Sequence, residues 1–417
     1  MKLKNFLILN LIIITLFQFV FSLNCFAEFI DEPEEPEGEI ALEEEIEDEN
    51  RIYSEAAILV EKQTGKVLFG KNVYDRKYPA STTKILTAII ALERCSLDET
   101  ATASEYAVDS VKAGYTNADI KVGETFTIGE LLDVMMIVSA NEAATIIAEH
   151  ISGSVSEFAN LMNEKAKEIG CLETHFVNAN GEHNEDHYTT AYDLALIARY
   201  CMQNEKFREL ISKKTCSLPV TEIYVNAKRE EVEKLNEKNK NKKKYKPIVF
   251  EELNLERNFR NTNSLMKEDS RYYYPYCIGG KTGFTTPAKN CLVSFSDKDG
   301  FETIAVVLHA ENTEDNLSAR YLDTIKLFEY GYNNYTLEGI LEEYKPKEEP
   351  KQSSVKTIIS DVVTTIENAP EIIKNNEEVE RAIKMIIVGL ILLSIVIIYY
   401  LYKFIRKMRS SARVKEN

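Results

Sequence analysis

The stretch "YPASTTKILTAIIALE", Tyr78 to Glu93, decides how this chain is read. Pro79 and Ser81 suit a helix start, and Ile85, Leu86, Ile89, Ile90 and Leu92 supply an apolar face at helical spacing. Residues three apart share one side of a helix, so Ser81 and Lys84 project together. An N-cap serine followed by a solvated lysine has the same local pattern. Two more such pairs, Ser264/Lys267 and Ser353/Lys356, occur in the chain, so the pair acquires meaning only from its company.

The ends of the chain indicate where it works. It opens "MKLKNFLILNLIIITLFQFVFSLNCFAEF", two lysines before an apolar run and then Cys25-Phe26-Ala27. That is the layout of a secretory signal over residues 1–27, cut after Ala27, with an uncleaved N-terminal anchor as the alternative. Near the other end, "MIIVGLILLSIVIIYYLY" runs from Met385 to Tyr402 without a charge, long enough to span a bilayer. Lys403, Arg406, Lys407, Arg409, Arg413 and Lys415 follow it, which places the tail of residues 403–417 in the cytoplasm. Everything between signal and span is then expected outside the cell, on a single-pass membrane protein.

Between these ends, residues 28–50 form an acidic leader that cannot bury a core. A catalytic domain is expected over residues 51–335, and a stalk over 336–384. The net charge of −17, with no basic, aromatic-rich strand, excludes general nucleic-acid binding. Seven cysteines, with Cys25 inside the signal and no Cys-x-x-Cys pair, argue against a zinc site and against a disulfide framework, though one or two bridges fit. No metal and no cofactor is called for.

Within the central region, "AAILVEKQTGKVLFGKN" reads as two strands about Gln63-Thr64-Gly65. Helical stretches follow, and then a β-rich section from about Cys216 to His309 with a hairpin at Asp299-Gly300. Inside that section, Lys228 to Lys246 reads as a solvated loop insertion. "RYLDTIKLFEYGYNNY" reads as a closing helix ending at Gly331. Strands at both ends with helices between them predict an α/β (α+β) fold: an antiparallel sheet covered by helices, plus a helical subdomain.

Two short motifs follow Ser81 in order: Ser139-Ala140-Asn141 at the end of an apolar run, and Lys281-Thr282-Gly283 in "GGKTGFT". A serine hydroxyl is a weak nucleophile and needs a base within hydrogen-bond reach. Lys84, desolvated and crowded by other cations, can have its pKa lowered enough to serve. Lys281 supplies positive field and attracts an anionic substrate, and Ser139 can relay a proton. No histidine is required; His183 and His187 sit in the polar stretch "GEHNEDHYTT" and read as solvent-exposed.

The trio Ser-x-x-Lys, Ser-x-Asn, Lys-Thr-Gly is shared by β-lactamases and penicillin-binding proteins. With "LMNEKAKEIG", "THFVNANG", "HYTTAYDLALIAR", "NTNSL" and "GGKTGFTTPAKNCLV", the chain resembles the D-alanyl-D-alanine carboxypeptidases, low-molecular-mass penicillin-binding proteins of serine peptidase family S11. The resemblance implies a β-lactamase/penicillin-binding-protein-like fold. It implies a reaction in which the terminal D-Ala leaves a peptidoglycan stem peptide ending in D-Ala-D-Ala through an acyl-enzyme, with β-lactams as covalent inhibitors. It implies Ser81 as nucleophile, Lys84 as general base, Ser139 as proton relay and Asn141 in substrate positioning. Lys281, Thr282 and Arg320 would meet the terminal carboxylate, and the backbone N–H groups of Ser81 and Phe284 would form the oxyanion hole.

Many relatives carry a β-rich second domain, for which the chain between Tyr335 and the apolar run is too short. A β-lactamase of this fold remains an alternative, although no Glu-x-x-x-Asn follows Ser139 within fifty residues. A β-lactam sensor is another, although it would need several membrane spans and a cytoplasmic effector.

The topology predicts that an epitope placed after Asn417 is protected from protease in intact cells while the region about Lys240 is cut. The reverse pattern would exclude the C-terminal anchor.

Overall fold

The computed structural model describes residues 51–242 and 244–344. The expected signal, acidic leader, membrane span and basic tail lie outside these residues, as does the stalk beyond Tyr344. Among the described residues no helix is long and apolar enough to cross a membrane.

The chain begins with β1 (Ala56–Glu61) and β2 (Val67–Lys71), then a 3₁₀ turn over Ala80–Thr83 that runs into α1 (Lys84–Arg94). A helical region follows: β3 (Thr100–Thr102), α2 (Glu105–Asp109), β4 (Thr125–Thr127), α3 (Ile128–Ile137), α4 (Asn141–Ser152), α5 (Val155–Ile169), α6 (Ala191–Cys201) and α7 (Glu205–Ser212). Then come β5 (Thr215–Leu218), α8 (Glu222–Asn239), β6 (Arg257–Arg260), β7 (Cys277–Thr285), β8 (Lys289–Lys298), β9 (Phe301–Ala310), α9 (Ala319–Asn334) and α10 (Leu337–Glu343).

The main sheet has the order β2-β1-β9-β8-β7, antiparallel throughout. Its two faces bury different cores. Ile58, Val60, Val293, Phe295, Val306 and Leu308 face the helical region, whereas the alternate residues Ala57, Leu59, Leu292, Ala305 and Val307 pack on the other face with Leu327 and Phe328 of α9. Side chains of a strand alternate between faces, so a strand covered on both sides is apolar at every position. This explains the unbroken run "AAILV" in β1, which is buried from end to end.

Local signals set several helix ends. Thr127 and Glu130 form a reciprocal capping box at the start of α3, and Gly153 and Gly170 take left-handed conformations that end α4 and α5. The hairpin at Asp299-Gly300 is present between β8 and β9. All six cysteines from Cys95 to Cys291 are free thiols.

Two expectations need correction. The Lys228–Lys246 insertion is not a loop over its first half: α8 runs from Glu222 to Asn239, capped by the Thr221 hydroxyl, which accepts the Tyr224 N–H. Its Glu and Lys residues are strong helix formers, and contacts such as Lys234–Glu230 replace the apolar stripe whose absence suggested a loop. The closing helix does not stop at Gly331 but continues to Asn334. Gly331 is there because α9 lies against β1: a Cβ at that position would come within 2.7 Å of the Leu59 side chain. Helix α10 packs Ile340 into the same core as α9.

The α-helix starts at Lys84, later than Ser81, because residues Ala80–Thr83 are wound as 3₁₀. In that winding side chains at i and i+3 eclipse, so Ser81 and Lys84 stand directly one above the other. The turn is held under strain: Ala80 has φ of 48°, a left-handed value that non-glycine residues avoid. Gly181 makes this possible. Its φ is 79°, and a Cβ there would fall 1.9 Å from the Ala80 carbonyl oxygen.

Gly181→Ala should therefore destabilise the fold by at least about 2 kcal/mol, the sum of a left-handed alanine and an overpacked contact. Denaturant unfolding measures this; a shift under about 0.5 kcal/mol, the size of an ordinary surface change, would show that the turn does not depend on that glycine.

Candidate active site

Four elements meet at an open cleft of about 430 Å³ whose walls include Ser81, Ser139, Asn141, Thr282, Phe284 and Arg320. Ser81 comes from the 3₁₀ turn. Ser139 and Asn141 come from the break between α3 and α4, where Ser139 adopts φ of 70°. Thr282 and Phe284 lie on β7 at the sheet edge, and Arg320 lies in the first turn of α9.

Lys84 and Lys281 stand behind this wall, both buried. Lys84 Nζ is 3.1 Å from Ser81 Oγ, donates to Asn141 Oδ1 at 2.8 Å, and donates to the Asn180 carbonyl. Asn141 Oδ1 and the carbonyl can only accept. A neutral amine has two N–H groups and one lone pair. Both N–H groups go to these acceptors, which leaves the lone pair for the Ser81 hydroxyl. The surroundings favour that neutral form: burial holds the Lys84 pKa well below the usual lysine value, with the Lys281 charge adding to the effect and Glu142 opposing it.

Lys281 Nζ donates to Ser139 Oγ at 2.9 Å and to the Thr282 carbonyl at 2.8 Å. Burial, with Arg320 nearby, pushes its pKa down to about 7. It does not line the cleft itself, whereas Ser139, to which it donates, does. At the wall stand Thr282, whose hydroxyl is 2.8 Å from that of Thr262, and Arg320, which donates to the Gly283 carbonyl at 2.9 Å and to Asn290 Oδ1. Gly283 brings β7 against the serine turn: a Cβ there would lie 3.0 Å from the Ser81 nitrogen. The backbones of Ser81 and Phe284 are thereby close neighbours, with the Phe284 ring exposed.

All eight residues singled out from the sequence thus gather at one place, six on the wall and the two lysines behind it. The pair Ser264/Lys267 does not, since Ser264 starts a separate 3₁₀ turn, and Ser353 and Lys356 lie outside the described residues. Sequence reasoning missed Asn180 as a main-chain acceptor and Glu142 and Thr262 as neighbours. It also misplaced His187, which is buried rather than exposed. The Val177 N–H donates to its Nδ1, so Nε2 carries the proton and donates to the Thr83 hydroxyl at 2.8 Å, directly beneath the serine turn. Burial pushes its pKa down to about 3, which keeps it neutral.

The sequence profile of the D-alanyl-D-alanine carboxypeptidase family matches residues 43–218 and 214–312. The chain belongs to that family. It is 32% identical over 287 residues to the D-alanyl-D-alanine carboxypeptidase DacF of Bacillus subtilis, covering 68% of this chain and 63% of that relative. A D-alanyl-D-alanine carboxypeptidase of Streptomyces sp. strain K15 is 29% identical over 278 residues, covering 64% of this chain and 84% of it. The crystal structure of the Streptomyces K15 DD-transpeptidase superposes with a TM-score of 0.54 at 27% identity, covering 68% of this chain and 98% of that one. The family match and the superposition agree with the mixed α/β, penicillin-binding-protein-like fold that the resemblance implied.

The depressed lysine pKa has a sign that stability measurements can read. Between about 7 and the lysine value of 10.5, unfolded Lys281 holds a proton that the folded site does not. Stability therefore rises with pH across that window, by up to about 1.4 kcal/mol per unit. Lys281→Met removes the effect. Its stability relative to wild type should be highest at pH 7 and fall towards pH 10 in denaturant titrations; a relative stability that stays flat or rises over that window would mean that Lys281 is not held below its ordinary pKa.

Proposed function

We propose that this chain is a serine D-alanyl-D-alanine carboxypeptidase that trims peptidoglycan stem peptides on the outer side of the cell membrane. The observation that carries the reading is the lone pair of Lys84, aimed at Ser81 because both N–H groups of a neutral amine have other acceptors.

On this reading, Thr282 and Arg320 hold the terminal carboxylate of D-Ala-D-Ala, with Lys281 lending positive charge from behind. Ser81 Oγ attacks the carbonyl carbon of the penultimate D-Ala as Lys84 takes its proton. The backbone N–H groups of Ser81 and Phe284 stabilise the oxyanion. The C–N bond breaks, the departing D-Ala nitrogen takes a proton from the Ser139 hydroxyl, and Lys281 restores that proton. Lys84 passes the proton it took from Ser81 to the now neutral Lys281 by way of solvent in the cleft and is a base again. It then takes a proton from water as the water oxygen attacks the ester carbonyl, and returns that proton to Ser81 Oγ as the ester C–O bond breaks. A β-lactam carbonyl is attacked in the same way, but its amine stays tethered and the ester persists.

The signal over residues 1–27 and the span Met385–Tyr402 support export and a single-pass anchor, with the cytoplasmic tail behind it. No nucleic acid, metal or cofactor enters the scheme.

The test follows D-alanine release from diacetyl-L-Lys-D-Ala-D-Ala, and covalent labelling by a penicillin, with the purified full-length protein. Ser81→Ala should abolish both, whereas Ser264→Ala should keep both. Lys84→Arg should slow acylation by about 10²–10⁴-fold, because a guanidinium cannot give up its proton near neutral pH. Acylation at the wild-type rate in Lys84→Arg would remove Lys84 as the base. Labelling without D-alanine release in wild type would favour a β-lactam sensor.

A further inference from the structure

The cleft wall beyond Tyr115 is a segment, Thr116 to Ile120, gripped by buried charges from two sides. From α4, Glu142 Oε1 accepts the Ala118 N–H at 2.6 Å and lies 3.5 Å from the Ile120 nitrogen. From β6, Arg257 Nη2 donates to the carbonyls of Ala118 at 3.2 Å and Asp119 at 3.3 Å. Ala118 is thus held through both of its backbone polar groups.

Arg257 is itself braced by the start of α8, an element that the catalytic scheme leaves unused. Its Nη1 donates to Glu124 at 2.8 Å, and both side chains are almost completely buried. The Thr221 hydroxyl, which caps α8, donates to the same Glu124 oxygen at 2.5 Å, and the guanidinium lies 4.4 Å from the Tyr224 ring in the first turn of α8. Farther out, Lys228 of α8 pairs with Asp119 of the gripped segment and Glu231 with Lys121 just after it.

The other end of the segment touches the catalytic centre. The Thr116 carbonyl accepts the backbone N–H of Asn141 at 3.1 Å and its side-chain Nδ2–H at 2.8 Å. With Nδ2 committed there, Oδ1 is the amide atom that faces Lys84. A reversed amide would set an NH₂ group against the Lys84 amine and remove one of its two acceptors. The orientation of Asn141, and through it the direction of the Lys84 lone pair, depends on where the Thr116 carbonyl stands.

We propose that Glu142 and Arg257 are positioning residues of the active site, holding segment Thr116–Ile120 so that the Thr116 carbonyl fixes Asn141 against Lys84, and that α8 is the brace for Arg257. The inference rests on the reading of Ser81 and Lys84 given above. A second observation points the same way. Glu142 Oε2 and Arg257 Nε are buried without hydrogen-bond partners among the described residues. Such orphans are costly, and sites where they persist need a reason beyond stability.

The test measures penicillin acylation by the purified full-length protein, separating the noncovalent dissociation constant from the acylation rate constant. Glu142→Ala and Arg257→Met should each lower the rate constant at least about tenfold, since a small misplacement of a catalytic group costs up to about a hundredfold. The dissociation constant should stay within about threefold, which converts to under about 0.7 kcal/mol. Glu142→Gln, which keeps an acceptor for the Ala118 N–H, should recover most of the rate lost in Glu142→Ala.

The double variant should be little slower than the worse single one, because both act through one segment. Arg257→Lys keeps the charge but cannot serve Glu124 and two carbonyls together. It serves as the readout should Arg257→Met fail to unfold cooperatively, and it should still lose at least about fivefold.

Lowered melting temperatures with wild-type acylation by the folded protein would overturn the proposal, as would fully additive losses. Failure of wild type to be acylated at all would instead overturn the reading of Ser81 and Lys84.

Discussion

The short distance between the buried Lys84 amine and the Ser81 hydroxyl on the cleft wall, 3.1 Å, is the constraint around which the site is arranged. A lysine in water is protonated and useless as a base. Removing it from water and setting Lys281 near it favour the neutral amine, and two acceptors that cannot donate take its N–H groups. Each requirement is met by a different part of the chain. The 3₁₀ turn brings serine and lysine into register, the break before α4 presents Asn141, and the Asn178–Gly181 turn presents the Asn180 carbonyl. Strand β7 carries the second lysine.

Such an arrangement is unfavourable for folding when taken alone. Two lysines are buried, Ala80 and Ser139 occupy left-handed backbone conformations, and a carboxylate oxygen has no partner. These features persist only where the surroundings over-determine them. The five-stranded sheet does so by carrying a core on each face, so β7 and the serine turn rest on a support that side-chain hydrogen bonding alone would not supply. Asp323 ties the same support together on its far side: it accepts the N–H groups of Tyr53 and Ser54 and so locks the start of β1 to α9.

The misread parts share a cause. Residues 222–239 lack an apolar stripe, and a helix without one leaves no periodic trace; its stability comes from capping, ion pairs and the stacking of Tyr224 on a distant arginine. His187 follows the acidic pair Glu185-Asp186 in sequence, yet the chain folds it under Thr83. Polarity of neighbours along the chain says little about burial when a loop turns inward to hold an active-site helix. Gly331 reads as a helix end because glycine often is one, but here it answers a close approach between α9 and β1.

What the sequence by itself determined is whatever depends on local order: the unbroken apolar run of β1, the helical faces, and three motifs whose spacing along the chain places serine, lysine and asparagine on known kinds of element. It also marked Ser81, Lys84, Ser139, Asn141, Lys281 and Thr282 as a set, through the order of three motifs and not through any single one, and the family resemblance added Phe284 and Arg320. Only the tertiary structure decided that Lys84 is buried behind a cleft that Ser81 lines, that Lys281 donates to Ser139 from behind the wall, and that Asn180, Glu142 and Arg257 belong to the same network. The physical reason is one of range. Hydrophobic periodicity and backbone propensity act over a few residues, whereas desolvation and hydrogen-bond complementarity depend on groups more than a hundred positions apart, as Ala118 and Arg257 are.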